Sequence, residues 1–581
     1  MKSSNVQSRI SEEKVWMKYY PEDSIGMEVP KCTIYSYLQE VNKDRMDSTA
    51  IHYYGANITH RELFVRIDSC ANAFAAQGVK PGDVVSLLSV STPEALTVLY
   101  ALNKIGAAVN TIDPRMDVDS IRRMIQESHS KILVVLDVAF PKVRKIMQEI
   151  KQERIIVQSA AISLPFIKRV AMNIKNRTDI PYSDTVISWK SFMDGGKNTV
   201  AKEAPYVGDA TVAITYTGGT TGFPKGVMLT NDSMNAVAFN FIYCGLVYET
   251  GQRFLGIMPI FSSYGMVCGL HMPLSLGLEL ALIPKFIPAT IGQLVKTYRP
   301  QHMISTPAFY EIMMESKEMK NFDLSFMITL GSGGDTMNEG LESKLHQFMK
   351  SHNIKYPLAQ GYGMSELSAA ASFCVNNIYK RGSVGIPSLS TTVSIFDPDT
   401  GDELGYEQEG EICITGPSMM KGYYNRPEET ADIMRRHPDG KVWIHSGDIG
   451  YMDRDGFVFV KGRVKRMITR FDGHKVFPVN LESLVSEQKT VRNCATIAVA
   501  DRHHSQGHYP MVLVEFMEGV DKKAACKAIY EECHARVEER GKPVAVLPVD
   551  EIPLTGMGKN DYRALEKEFG QFDYTSWDPA V

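Results

Sequence analysis

From Ile51 onward the chain alternates short strand-like and helix-like runs, and this alternation restricts it to a sheet made largely of parallel strands. Asn57-Ile-Thr-His-Arg-Glu-Leu63 opens a helix, with Thr59 as N-cap and Glu62 three residues on to close a capping box. Val79-Lys-Pro-Gly-Asp83 is a turn. Val84 to Val90 reads as a buried strand, Glu94 to Ile105 as an amphipathic helix and Ala107 to Ile112 as the next strand. At 581 residues the chain exceeds one ordinary core. The pattern changes near Gly450: a turn at Tyr451–Gly456, a strand at Phe457–Lys461, then a short helix from Leu481, strands at Cys494–Val499 and Tyr509–Phe516, and a helix over Lys522–Arg540. These features predict an N-terminal domain over 1–464 and a compact α+β unit over 465–581. Residues 1–50 are polar, with few periodic cues. The apolar stretch Phe254–Phe286 contains His271, Glu279 and three prolines, so it reads as a buried strand–helix–strand unit rather than a membrane span. Leu164 to Arg177 is apolar on one side and basic on the other, a connector or surface helix able to touch a membrane weakly.

Residues Tyr216 to Gly226, Tyr-Thr-Gly-Gly-Thr-Thr-Gly-Phe-Pro-Lys-Gly, have the composition of a polyphosphate cradle. Gly218, Gly219 and Gly222 free the backbone to turn N–H groups inward. Thr217, Thr220 and Thr221 add hydroxyls, and Lys225 adds a point charge. Walker A requires Gly-Lys-Ser/Thr leading into a helix. Here Pro224 precedes the lysine and Gly226–Thr230 reads as a strand, as does Thr211–Tyr216, so the loop joins two strands and can close as a flap. Alone, such a segment is equally a surface hairpin.

Four more constellations follow further along the chain. Gln360-Gly-Tyr-Gly-Met-Ser-Glu366 sets Tyr362 between Gly361 and Gly363, where its ring can stack on a base, and places Ser365 and Glu366 after it, the carboxylate suited to Mg²⁺. Gly331-Ser-Gly-Gly-Asp335 follows a strand at Met327–Leu330 and exposes bare backbone at Gly333 and Gly334, at the strand end where open α/β sheets bind ligands. Trp443-Ile-His-Ser-Gly-Asp448 places a carboxylate able to hold a ribose diol, with Arg463 soon after. Pro553-Leu-Thr-Gly-Met-Gly-Lys559 sets a lysine on a glycine-flanked loop. Each by itself also reads as a plain turn or strand end.

All of them, in this order, resemble the adenylate-forming superfamily: acyl- and aryl-CoA synthetases, luciferases and adenylation domains. The resemblance runs from about residue 50 to the C-terminus. It implies an α/β fold, with a large N-terminal domain of mixed sheets, a distorted β subdomain, and a small mobile α+β C-terminal domain. It implies that Thr217 to Lys225 holds the β- and γ-phosphates of ATP, that Gly333, Gly334 and Tyr362 enclose the adenine with Asp335, Gly361 and Gly363 beside it, and that Asp448 and Arg463 hold the ribose. Ser365 then touches the α-phosphate, and Glu366 binds Mg²⁺ with Thr217. Lys465 matches the hinge, Lys559 the lysine of adenylation and Gly473 the pantetheine tunnel for CoA. The sequence departs from the family pattern at five places: Ser262 stands in Pro259-Ile-Phe-Ser-Ser263 where a histidine or large aromatic is usual; Ser446 and Ser365 replace threonines; the stretch from Arg463 to Gly473 is one residue longer; Asn480 replaces a glutamate.

The acyl pocket is expected from Phe239, Tyr243, Ser262, Tyr264 and Thr306. These are apolar or small groups with no cation for a second carboxylate. The implied substrate is a hydrophobic monocarboxylic acid, a medium or long fatty acid first and an aromatic or steroidal acid second, joined to CoA or, in the alternative, to a carrier-protein thiol. No carrier-like segment follows the lysine loop, which favours CoA. A net charge of −4 argues against nucleic acid. Nine scattered cysteines without a Cys-x-x-Cys pair, and an N-terminus without a signal-like apolar core, suit a cytoplasmic monomer or homodimer.

Overall fold

The computed structural model of this chain describes residues 9–175, 178–217, 224–463, 466–472, 474–504, 506–555 and 559–577. Local signals place the first elements as expected. Thr59 caps the helix His60–Ala76, its side chain accepting from Glu62 N while the Glu62 carboxylate accepts from Thr59 N. Thr92 caps the helix Pro93–Lys104, with proline in its first turn. The strands Val84–Leu88 and Ala108–Ile112, buried on both faces, pair in parallel.

Two large sheets carry the N-terminal part. One has eight strands and continues from Ala108–Ile112 through Thr211–Tyr216 and Gly226–Thr230 to the two-residue edge strand Gly422–Tyr423. The other has nine, and its parallel centre runs Arg253–Gly256, His302–Ser305, Thr329–Ser332, Ala359–Tyr362. A third, five-stranded antiparallel sheet is built around Gly410–Thr415 and the long strand Val442–Met452. It is the distorted β subdomain, with register shifts between Glu411 and Cys413 and between Ile449 and Gly450. After residue 466 the chain forms a smaller α+β unit: Val491–Ala500 pairs antiparallel with His508–Phe516, which pairs in parallel with Ala545–Val549.

Three local features differ from expectation. The segment 254–286 is indeed strand–helix–strand, but its helix begins as a π-helix, Tyr264–His271, an i→i+5 form concentrated at functional sites. The helix from Lys522 ends at Arg536, and a 3₁₀ turn at Glu539–Gly541 follows. Residues 9–50 are structured: Ile10 and Trp16 are fully buried in the core of the β subdomain, and Ser11 donates to Glu403 through backbone and hydroxyl at 2.8 and 2.9 Å.

The amphipathic segment forms the helix Phe166–Lys175, with Phe166, Ile167 and Ile174 at 71%, 81% and 74% exposure. Among the described residues no helix is long and apolar enough to cross a membrane.

Candidate functional site

The strands Thr211–Tyr216 and Gly226–Thr230 pair antiparallel, and Thr217 N donates to the Lys225 carbonyl at 3.1 Å, so the base of the glycine-rich loop is a hairpin. Gly218, Gly219, Thr220, Thr221 and Gly222 lie outside the described residues, as do Lys465 and Gly473. The Lys225 ammonium lies 4.3 Å from the ring centre of Tyr423, a cation–π contact. Tyr423 reaches this place because its edge strand pairs with Gly226–Thr230, Tyr423 opposite Val227. Its hydroxyl donates to Glu366 Oε1 at 2.5 Å. Burial and the Glu366 carboxylate both push this phenol well up, so it stays a donor. Lys225, Tyr423 and Glu366 thus form one chain of contacts from the loop base to the carboxylate.

Glu366 stands on the 3₁₀ turn Ser365–Leu367, just beyond the strand Ala359–Tyr362. The approach is tight. A Cβ on Gly363 would lie 1.7 Å from the Ala369 carbonyl oxygen, so only glycine fits there. Ser368 and Ala369 take φ of 54° and 112°, uncommon backbone for side chains with a Cβ and costly unless the surroundings impose it. Ser365 Oγ accepts a hydrogen bond from Ser263 at 2.8 Å, which ties this turn to the start of the π-helix.

Thr329–Ser332 and Ala359–Tyr362 are parallel neighbours, so their carboxyl ends bring Gly333, Gly334 and Asp335 beside Gly361 and Tyr362. Tyr362 donates through its hydroxyl to Asp448 Oδ2 at 2.6 Å. Asp448 sits opposite Arg463 in the antiparallel pair of Val442–Met452 with Val458–Arg463, and Arg463 Nε meets Asp448 Oδ1 at 3.0 Å. Burial raises the Asp448 pKa, opposed by Arg463 and Tyr362, whereas the Asp448 charge holds Arg463 upward. The turn carrying Asp448 is braced from behind: Glu411 accepts from Gly447 N at 2.9 Å and lies 2.7 Å from His445 Nδ1. Ser446 Oγ donates to the Ile412 carbonyl at 2.6 Å and accepts from Asp448 N at 3.0 Å.

Lys559 arrives from the other unit. Its loop is closed by Thr555 N donating to the Lys559 carbonyl at 2.7 Å. The ammonium is held below its ordinary value, first by burial; the carboxylates of Asp335, Asp448 and Glu366 favour its charged form, and Arg463 opposes it. Asp335 in turn is raised by burial and lowered by Lys559. Both side chains keep solvent contact, and each charge bears on the other where the small unit meets the strand ends of the large domain. The geometry therefore brings Glu366, Tyr362, Asp448, Arg463, Asp335 and Lys559 to one place.

The expected acyl-pocket residues divide. Tyr264 packs its ring against Gly334, and the Thr306 methyl closes on the same glycine. Ser262 instead serves the backbone: its hydroxyl accepts from Gly265 N at 3.0 Å and donates to the Pro259 carbonyl at 2.9 Å. Phe239 is fully buried in the β-subdomain core with Leu367 and packs against Tyr243 with ring centres 4.7 Å apart and planes tilted by 48°, a supporting rather than a lining position. Thr306 Oγ1, Ser332 Oγ and Gln360 Nε2 are buried without a protein partner, all at the carboxyl ends of adjacent parallel strands. These three groups lie beside Gly333, Gly334 and Tyr362. Tyr423 and Ser263 had no signal in the sequence, because they enter through strand pairing and a turn 57 and 102 residues from their partners.

The chain is 29% identical, over 96% of its length and 98% of the relative's, to a long-chain-fatty-acid–CoA ligase of Bacillus subtilis (strain 168). It is 27% identical, over 88% of its length and 87% of the relative's, to a 4-coumarate–CoA ligase-like protein of Arabidopsis thaliana. Among solved structures it superposes on the anthranilate CoA ligase AuaEII in complex with anthranoyl-AMP with a TM-score of 0.79, at 18% identity over 94% of this chain and 98% of that one. It superposes on ATP-bound MatB from Rhodopseudomonas palustris with a TM-score of 0.77, at 23% identity over 93% and 99%. At these identities the structural likeness is one of fold, a large N-terminal and a smaller C-terminal domain. The profile of the AMP-binding enzyme family matches residues 38–424, well over half of the sequence, and this chain belongs to that family.

Proposed function

We propose that this enzyme joins a hydrophobic monocarboxylic acid, a medium- or long-chain fatty acid first, to CoA at the expense of ATP. The observation that carries this reading is the set of contacts joining Tyr362 and Arg463 to Asp448 and Tyr423 to Glu366, with the charge of Lys559 beside them. The full-length similarity to a long-chain-fatty-acid–CoA ligase supports the substrate class.

The difficulty of the reaction is the leaving group, since a carboxylate cannot expel oxide. A carboxylate oxygen attacks the α-phosphorus of ATP, the bond to the β-phosphate oxygen breaks, and pyrophosphate leaves. The CoA sulfur then attacks the acyl carbon, AMP departs, and the thiol proton goes to solvent. The protein's share is positioning and charge neutralisation. Thr217, the loop after it and Lys225 bind the β- and γ-phosphates. Gly333, Gly334 and Tyr362 enclose the adenine, while Asp448, oriented by Tyr362 and Arg463, accepts from the ribose hydroxyls. Ser365 hydrogen-bonds the α-phosphate. Lys559 bridges the incoming carboxylate and the phosphate, bringing two anions together. Mg²⁺ would be held by the Glu366 carboxylate and the Thr217 hydroxyl, hard oxygen donors of the type it takes, and would supply charge neutralisation beside the triphosphate. Residues 465–581 act as a unit that turns about Lys465, withdraws Lys559 and opens a path past Gly473 for the pantetheine thiol.

The helix Phe166–Lys175 lays its exposed apolar face on an anionic membrane, with Lys168 and Arg169 beside it, giving access to acids dissolved in lipid. Nine free cysteines, eight of them buried, fit a reducing cytoplasm. The enzyme acts as a monomer or homodimer. A panel of carboxylic acids, scored for pyrophosphate release with and without CoA, tests the function. Fatty acids should release pyrophosphate and yield acyl-CoA. No pyrophosphate from any acid would refute adenylation, and adenylate that CoA never consumes would refute the acceptor.

A further inference from the structure

We propose that Gly340 is the seat on which the C-terminal unit docks to bring Lys559 to the nucleotide, and that its lack of a side chain is a requirement of adenylation alone. The proposal rests on the role given to Lys559 above.

Gly340 is the second residue of the helix Glu339–Ser351, which Asn338 caps by accepting from Leu341 N at 2.8 Å. Its conformation is that of the helix, where glycine is a poor choice, about 1 kcal/mol worse than alanine. Its reason is contact. A Cβ at this position would lie 2.4 Å from the Ser486 carbonyl oxygen and 2.5 Å from its carbonyl carbon. Ser486 ends the helix Pro478–Ser486 of the C-terminal unit, and it is buried. These are backbone atoms that no rotamer change removes, so a side chain at 340 must push the whole unit away by about 1 Å, the shortfall from ordinary carbon–oxygen contact.

The contact belongs to an extended seat. One turn along the same helix face, Lys344 Nζ donates to the Val491 carbonyl at 3.4 Å. Arg492 reaches Glu315 of the large domain at 3.7 Å and Glu515 of its own unit at 3.6 Å.

The helix bearing Ser486 is also tied to the lysine loop. Glu482, one turn before Ser486, accepts from Arg466 at 2.8 Å, from Thr496 N at 2.8 Å and from Tyr562 Oη at 3.3 Å. Tyr562 opens the helix that follows Lys559. Asn560, next to the lysine, hydrogen-bonds Asn493 at 3.1 Å and the Cys494 carbonyl at 3.3 Å. A displacement at Ser486 is therefore transmitted to Lys559. A reacting group misplaced by about 1 Å loses about a hundredfold in rate. Thioester formation from an adenylate already made has no need of Lys559 and should not feel the change.

The test uses the full chain and two separate readouts: pyrophosphate release from dodecanoate and ATP, and CoA thioester formation from supplied dodecanoyl adenylate. Gly340→Ala and Gly340→Val should lower the first by about 10- and 100-fold and leave the second within about 3-fold. Lys344→Ala, which leaves the packing but removes one contact of the seat, should lower the first alone, by a smaller factor. Unchanged pyrophosphate release in both Gly340 variants, or equal loss of the two half-reactions, would overturn the proposal. Lys559→Ala run beside them separates the two ideas. If it adenylates normally, the lysine's role fails; if it is inactive while Gly340→Val is not, only the docking seat fails.

Discussion

The site is a set of charges whose neighbours fix what each can do. Lys559 faces three carboxylates and one guanidinium, so it is poised to move between protein anions and substrate anions. One well-placed donor to a developing charge is worth about 3–4 kcal/mol. Lys559→Ala should accordingly slow pyrophosphate release by about a hundredfold or more while still converting supplied acyl adenylate to thioester, as measured by quenched half-reactions. Tyr423 is the less obvious member. Its hydroxyl donates to Glu366, and a hydrogen bond to a charged group contributes about 1.5–3 kcal/mol. Tyr423→Phe should cut adenylation by about tenfold or more and raise the Mg²⁺ concentration needed for half-maximal rate; an unchanged Mg²⁺ dependence would show that Tyr423 does not orient this carboxylate. Asp448, Arg463 and Lys559 stood out in the sequence because each follows a glycine at a strand end or loop, and Glu366 because it closes the Gly361-Tyr-Gly-Met-Ser run. Tyr423 and Ser263 were not, because their partners are fixed only when distant strands and turns meet.

At the scale of elements, local chemistry was readable wherever a short-range device decides structure. The Thr59–Glu62 capping box and the two strands flanking the phosphate loop formed where the residues indicated. The first fifty residues were not readable: Trp16 and Ile10 owe their burial to a β subdomain whose strands come several hundred residues later. The π form of Tyr264–His271 was likewise hidden, since it depends on a start fixed by Ser262 and Pro259. The helix Phe166–Lys175 can be tested directly: Ile167→Glu with Ile174→Glu should abolish co-sedimentation with phosphatidylglycerol vesicles and leave turnover of a short, soluble acid unchanged. The facing helices at the seat carry a pH response. Glu311, among Glu315, Glu515, Lys344 and Arg492, is pushed up to about 7 from 4.5, first by burial. Below 4.5 it is protonated folded or unfolded and costs nothing; as pH rises toward 7 the unfolded chain gains from ionising and the folded one does not, so stability falls across that window. Glu311→Gln should raise Tm at pH 8 by about 1–3 °C, with the gain vanishing near pH 4.5 in thermal scans.

For the whole molecule, the order of motifs along the chain was the legible part, because the strands flanking the glycine-rich loop, the strand ends at Gly333 and Tyr362, the Asp448 turn and the Lys559 loop follow one another in the sequence. What the sequence withheld was the docking of two units, which depends on surfaces such as Gly340 against Ser486 that carry no motif. The central claim is that a lysine of the small unit completes a nucleotide site in the large one. A crystal structure with a non-hydrolysable acyl-adenylate analogue tests it most directly. The adenine should lie against Gly333 and Tyr362, the ribose hydroxyls on Asp448, and Lys559 Nζ within about 3 Å of the linkage between acyl group and phosphate. An analogue bound elsewhere, or bound there with Lys559 turned away and a different cation on the phosphate, would contradict the account.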